Sequence, residues 1–310
     1  MTHLFAESAR YFADLQLRIT SALEALDGAG TFRRDVWSRE PLDPARALMQ
    51  SEATLAGGGT SCVLEGGSVF EKAAVNVSNV HGVFSEAHAA HMPGSGRLFR
   101  AAGISLVLHP LSPRVPTVHM NLRRIEHGPI GWFGGGTDLT PYYLVEHDAR
   151  HFHRVLALVC ARHPAIARYA EMKAECDRYF HLPHRGEARG IGGIFFDDLR
   201  DRPNETLAFV VACGDAFLEG YVPIVRARCA EPYGERERRW QLIRRGRYAE
   251  FNLLHDRGTV FGLRTGGRVE SILASLPPEV AWHYDARPEA GSPEARLVAA
   301  LVAPRDWLAD

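Results

Sequence analysis

The side chains with the most chemistry to offer fall in one short stretch, GISLVLHPLSPRVPTVHMNLR, residues 103–123. Ile104–His109 is apolar and β-branched, Pro110–Pro116 carries three prolines, and Thr117–Arg123 alternates apolar and polar, so two strands joined by a loop are expected. Side chains alternate faces along a strand. Ile104, Leu106, Leu108, Val118, Met120 and Leu122 therefore turn away from Ser105, His109, His119, Asn121 and Arg123. If the strands pair, two imidazoles, an amide, a hydroxyl and a guanidinium share a face, a set suited to binding anions and moving protons. An ordinary sheet with a polar face in water is the plainer reading, although such faces usually carry Lys, Glu and Thr.

Further candidates sit on punctuated segments. Asp138 follows three glycines in WFGGGTDLTPYY, read as a loop that lets backbone approach a ligand. Thr140-Pro141 looks like an N-cap and first helical position. Asp256-Arg257 falls in a turn between two expected strands, Tyr248–His255 and Val260–Arg264. A second turn, Thr265–Arg268, leads into an expected helix at Val269–Leu276, whose first amides and Arg268 would favour an anion. A lone Asp in a turn is as readily a cap as a catalyst. His88/His91 and His147/His151 have helical spacing, but the second pair lacks the glutamate of a zinc-protease motif.

The elements expected to hold these residues are mixed. Helices are read at Leu4–Leu26, Ala45–Gln50, Glu146–Arg162, Ala165–Phe180 and Asn204–Leu218. Strands are read at Thr60–Leu64, Val69–Val80 and Ile194–Phe196, the last ending in Asp197-Asp198. The Arg-rich helix Gly234–Arg245 reads as a solvated face.

Composition narrows the function. The 310 residues allow one large domain or two, and 36 basic against 37 acidic residues leave a net charge of −1. That balance argues against a dedicated nucleic-acid binder. Five scattered cysteines without a CxxC pair signal neither a zinc ribbon nor a disulfide framework, and point to reduced cytosol. The amphipathic N-terminus does not read as a signal peptide, and no apolar run is expected to span a membrane, so a cytoplasmic protein without stable membrane insertion is anticipated. Serine-elbow, nucleotide and flavin fingerprints are missing from the sequence. The residues alone suggest an enzyme acting on a polyanionic, carboxylated substrate, without naming its reaction.

Five longer stretches go further: FEKAAVNVS, GISLVLHP with VPTVHMNLR, WFGGGTDLTPYY, HRGEARGIGGIFFDDL and GRYAEFNLLHDRGTVFGLRTGGRVESILASLPP. In order and spacing, from about Gly57 to Tyr284, they resemble the oxygen-dependent coproporphyrinogen III oxidases. Ala74 departs from the pattern, where glycine is expected. The resemblance implies an α+β fold, a large antiparallel β-sheet flanked by helices on both faces, in a single domain spanning residues 1–310. It also implies a homodimer formed through Tyr248–His283. The implied reaction converts two propionates of coproporphyrinogen III to vinyl groups, with O2 as co-substrate and no organic cofactor.

Carried over position by position, Ser105, Asn121, Leu122, Arg123, Gly266, Gly267 and Arg268 match substrate-contacting positions. His119 matches a proton donor, and Asp138, Asp256 and Arg257 match the acid and base positions. His109, His119, His153 and His184 match a suggested divalent-metal set, for which acid-base or propionate-binding roles are the alternative. Two rivals remain open on the residues: a non-catalytic tetrapyrrole carrier, and a metallohydrolase built on the histidines.

Overall fold

The computed structural model describes residues 2–264 and 266–309. Seven strands form one sheet: β1 (Arg33–Ser38), β2 (Thr54–Glu65), β3 (Phe70–Val83), β4 (Leu98–Pro110), β5 (Thr117–His127), β6 (Ile130–Thr140) and, after a two-residue pair β7 (His181–Leu182) and β8 (Glu187–Ala188), β9 (Gly193–Leu199). Their order is β1-β2-β3-β4-β5-β6-β9, antiparallel throughout.

The sheet is packed on both faces, and the alternation in the strands decides what lies on each. Ile104, Leu106, Leu108, Val118, Met120 and Leu122 are buried in one apolar core with Phe12, Leu15 and Ile19 of helix α1 (Thr2–Asp27). Two short helices, α2 (Pro44–Leu48) and α3 (Glu86–Ala89), precede α4 (Glu146–Arg162) and α5 (Tyr169–Tyr179). The core is completed by α4, α6 (Pro203–Asp215) and α7 (Phe217–Arg228). Over the opposite, polar face lie the end of α5, then α8 (Glu235–Leu254), α9 (Arg257–Arg264) and α10 (Val269–Leu273), before the final helix α11 (Pro293–Val302). Tyr248 of α8 stands edge-on to His109 at 5.2 Å, while on α10 the Ser271 hydroxyl shares a hydrogen bond with the Ser61 hydroxyl and the Ser271 carbonyl accepts from Asn76. The α+β architecture expected from the sequence is the one observed.

One joint ties α1 to the sheet. The Asp27 carboxylate, at the helix end, accepts the backbone N–H of Gly30, Ser68, Val69 and Phe70 at 2.7–2.9 Å. Burial pushes this carboxyl up, and the four amide bonds outweigh that and bring it down to about 2.

Several expectations are corrected. The triple-glycine segment is no loop: Gly134–Gly136 lie inside β6, paired with β5 on one side and β9 on the other. Thr140-Pro141 starts no helix, because α4 begins at Glu146 after the N-cap Val145. Tyr248–His255 is the end of helix α8, and Val260–Arg264 lies in helix α9. No hairpin forms there. Thr265, the first residue of the second expected turn, lies outside the described residues.

The Arg-rich helix is not a solvated face. Arg245 is fully buried, donating to Glu71 and to the Pro110 carbonyl, while buried Arg244 pairs with Glu187 at 2.7 Å. Pro203–Arg228 is, by length and composition, apolar enough to cross a membrane, contrary to expectation. It is two core helices, and Phe209, Val210, Tyr221 and Val225 spend that apolarity on the interior.

Candidate active site

Antiparallel register puts directly paired residues on one face. Ser61, Asn76, Ser105, Asn121 and Gly136 form one row across five strands. The next row runs through Ala74, Val107, His119 and Asp138. On the other side of the first row, Ser78, Gly103, Arg123 and Gly134 line up. The polar face read from the sequence is real, and Leu122 is the one candidate contact whose side chain turns into the opposite core.

The centre of this face is a hydrogen-bonded chain of three charged or titratable side chains. Asp138 is 1% exposed; its Oδ1 accepts from His119 Nδ1 at 2.8 Å and its Oδ2 from Arg189 Nη2 at 2.8 Å. A carboxylate only accepts, so Nδ1 of His119 carries the proton and Nε2 is left as the reactive nitrogen. Burial pushes the Asp138 carboxyl up, but the Arg189 charge and the His119 bond outweigh it and hold it below its ordinary value. Arg189 is itself buried, with its guanidinium 4.0–4.8 Å from the ring centres of Phe180, Tyr248 and Phe251 and a bond to Asn252 Oδ1 at 3.0 Å. His119 is 19% exposed, edge-on to Phe180, and among the described residues its Nε2 has no protein partner. The arrangement can hold an imidazole in one tautomer and offer its free nitrogen to a ligand lying on the sheet.

Around this centre stand the charged groups. Arg123 Nη1 donates to Asn121 Oδ1 at 3.1 Å, and its Nη2 lies 2.8 Å from Asp197. Asp256 is the residue before α9: Oδ1 accepts from Tyr179 Oη at 2.9 Å and Oδ2 from the Thr259 N–H at 2.7 Å. Burial raises the Asp256 carboxyl, but the Thr259 and Tyr179 bonds with His119 nearby leave it below its ordinary value. Arg257 is exposed, its guanidinium 4.8 Å above the Tyr179 ring. Gly266, at φ +71°, and Gly267 lead into α10, and the Gly266 carbonyl accepts from Arg39 at 2.6 Å. Arg268 turns to Asp35 on β1.

The suggested metal set does not fit. His109 is fully buried, with Nε2 donating to the Ser275 carbonyl at 2.9 Å and Nδ1 facing the Thr117 hydroxyl at 3.3 Å. Burial and the Arg245 charge hold its pKa well below the ordinary imidazole value. His153 lies in a separate buried cluster, bonded to the Ile191 carbonyl and Tyr169 hydroxyl and stacked on Trp307. Burial brings it down to about 3. His184 sits at the surface between Glu250 and His255. Of the four, only His119 keeps a ring lone pair uncommitted. Among the described residues, no group of three or more His, Cys, Asp or Glu has the geometry to hold a metal ion.

Two cavities bracket the face without enclosing His119. One of about 470 Å³ opens along the outer strand β9, lined by Met172, Phe195 and Asp197. The other, about 220 Å³, lies over β1 and β2, lined by Asp35, Ser61, Arg268 and Ser271. Sequence reasoning missed Arg189, Asp197, Tyr179 and Asp35. Arg189 and Asp197 stand inside the quoted HRGEARGIGGIFFDDL stretch, but their partners, Asp138 and Arg123, are more than fifty residues away, and spacing carries no trace of that pairing.

In comparison with known protein families, the chain matches the family model described as coproporphyrinogen III oxidase over residues 7–307.

Proposed function

From the premise that the chain belongs to the coproporphyrinogen III oxidase family, an oxidoreductase family of haem biosynthesis, we propose that it is the oxygen-dependent form of that enzyme. It converts two propionates of coproporphyrinogen III to vinyl groups, giving protoporphyrinogen IX. For each vinyl formed, a propionate gives up CO2, one proton and two electrons. One O2 takes the two electrons, that proton and a second proton from solvent, and becomes hydrogen peroxide. The protein works in the cytoplasm as a homodimer through residues 248–283.

The observation that carries this reading is the Arg189–Asp138–His119 chain ending in a free imidazole nitrogen on a sheet face flanked by arginines. An electron-rich tetrapyrrole reacts with O2 once a pyrrole N–H is removed, so a well-placed proton acceptor does the work otherwise given to a flavin. His119 and Asp256 are the groups placed to handle that proton. Arg123, Arg257 and Arg268 pair with propionates. Ser105, Asn121, Gly266 and Gly267 lie against the macrocycle. A mere carrier would have no use for the buried chain behind His119.

The committed histidine nitrogens favour catalysis without metal, and chelated, metal-free enzyme should keep its full rate. The decisive experiment is incubation with coproporphyrinogen III in air and under argon, with products oxidised and followed by fluorescence. Conversion in air, none under argon, and indifference to S-adenosylmethionine are expected. Equal conversion without O2 would overturn the proposal.

A further inference from the structure

Every arginine that the functional reading gives to a substrate carboxylate already has a protein carboxylate nearby. Arg123 Nη2 lies 2.8 Å from Asp197 Oδ1, and Arg257 Nη2 lies 3.9 Å from Asp197 Oδ2. Arg268 Nη2 is 2.5 Å from Asp35 Oδ2. Two aspartates, one on each side of the polar face, thus pair closely with Arg123 and Arg268, while Arg257 stands at the edge of ion-pair range of Asp197 and Glu270 lies 3.9 Å from Arg268.

The fold takes trouble to place Asp197. The β6–β9 register slips between Phe133 and Gly135, and Asp198 sits at φ +56°, a bulge of the kind that re-aims a side chain. Gly134 opposite has no side chain, and a Cβ there would come within 2.5 Å of Asp197 Oδ1 and 2.9 Å of Arg123 Nε. The glycine leaves room for this ion pair. Both partners are about one-third exposed, 29% for Arg123 and 33% for Asp197, so a ligand can reach the pair. Asp35 is equally accessible, at 39%.

We propose that Asp197 and Asp35 are exchangeable counter-ions: they hold the substrate arginines in the empty site and yield them to propionates on binding. The inference rests on the site being one for a propionate-bearing tetrapyrrole. The chemistry gives it a purpose. Decarboxylation turns a charged propionate into a neutral vinyl group, and an arginine that had bound it would be left half-buried and unpaired, which is unfavourable. A resident aspartate takes the arginine back and frees the product. The same negative charge must oppose binding of the tetracarboxylate, so removing it should tighten binding.

The test is a titration with coproporphyrin III, the oxidised tetracarboxylate that cannot turn over, read by porphyrin fluorescence. Asp197→Asn keeps the shape and removes the charge. It should bind coproporphyrin about twofold to fivefold more tightly than wild type, the range expected of a partly exposed ion pair. The gain should shrink as salt rises. Asp35→Asn, at a separate pair on β1, should show the same sign and carries the test if Asp197→Asn does not fold. Unchanged or weaker binding in these variants, with Arg123→Ala weakened, would overturn the inference and leave the aspartates as props that orient arginines. If wild type fails to bind coproporphyrin, or Arg123→Ala binds as well as wild type, the functional reading falls and this inference with it.

Discussion

At the scale of single residues, His119 and Asp256 are the two candidates for the proton acceptor of the proposed reaction, and their surroundings separate them. His119 has one nitrogen tied to a buried carboxylate and one open to the face, the pattern of a group built to transfer a proton. His119→Ala should lower kcat by about 10²–10⁴-fold with the fold intact. Near-normal kcat would remove it from the reaction. Asp256 is already engaged by Tyr179 and by the Thr259 amide of α9, so part of its role is to cap that helix. If it also takes the pyrrole proton, Asp256→Asn should depress kcat and leave KM nearly unchanged. Arg257→Ala, which removes a carboxylate contact, should raise KM. Should both variants lose only thermal stability and keep wild-type kinetics, the turn is structural and proton transfer belongs to His119 and Asp138.

At the scale of elements, the joint between α1 and the β2–β3 turn is held by one carboxylate, and its pH dependence can be worked out. The folded pKa of Asp27, about 2, lies below the value for an unfolded chain, about 3.9. Its contribution to stability is therefore complete above about pH 4 and is lost as pH falls toward 2. Asp27→Ala strands amides of Ser68, Val69 and Phe70 and should cost about 1–3 kcal/mol at neutral pH, while flattening the acid limb of a thermal-melt series. An unchanged melting temperature would show that the joint contributes nothing. Elements also mark how far the sequence could be read. The β4–β5 face was legible because strict alternation over Thr117–Arg123 fits no other periodicity. The glycines of β6 misled, because glycine usually marks a turn, whereas here a Cβ on Gly136 would come within 2.4 Å of the Ile194 carbonyl on β9. Tyr248–His255 misled for another reason. Glu250–Leu253 alternates polar and apolar, yet the buried positions Trp240, Arg244, Tyr248 and Phe251 recur at helical spacing only over the longer α8. The burial of Arg245 was unreadable, since its partner Glu71 lies on a strand 174 positions away.

At the scale of the whole molecule, the segment that carries Asp256 and Arg257 also carries much of the exposed apolar surface. Leu254 is 61% exposed and Trp282 55%, with Leu253, Leu263 and Val269 also turned outward within residues 248–283. Isolated exposed leucines are ordinary, but several on one continuous segment mark a surface that gains by being covered. Up to Leu273 much of the segment is helical, in the end of α8, α9 and α10, so a dimer formed through it would pair helices. Sedimentation at micromolar concentration should give a dimer, and Leu254→Asp, which puts a charge at the most exposed of these leucines, should shift it toward monomer. Activity should fall in step, because Leu254 is two residues from Asp256 and the α8–α9 junction that its carboxylate caps would lose its cover. A wild-type protein that sediments only as a monomer would remove the interface. A monomeric Leu254→Asp protein with full activity would leave the interface standing but sever it from the chemistry, and each protomer's site would then be complete by itself.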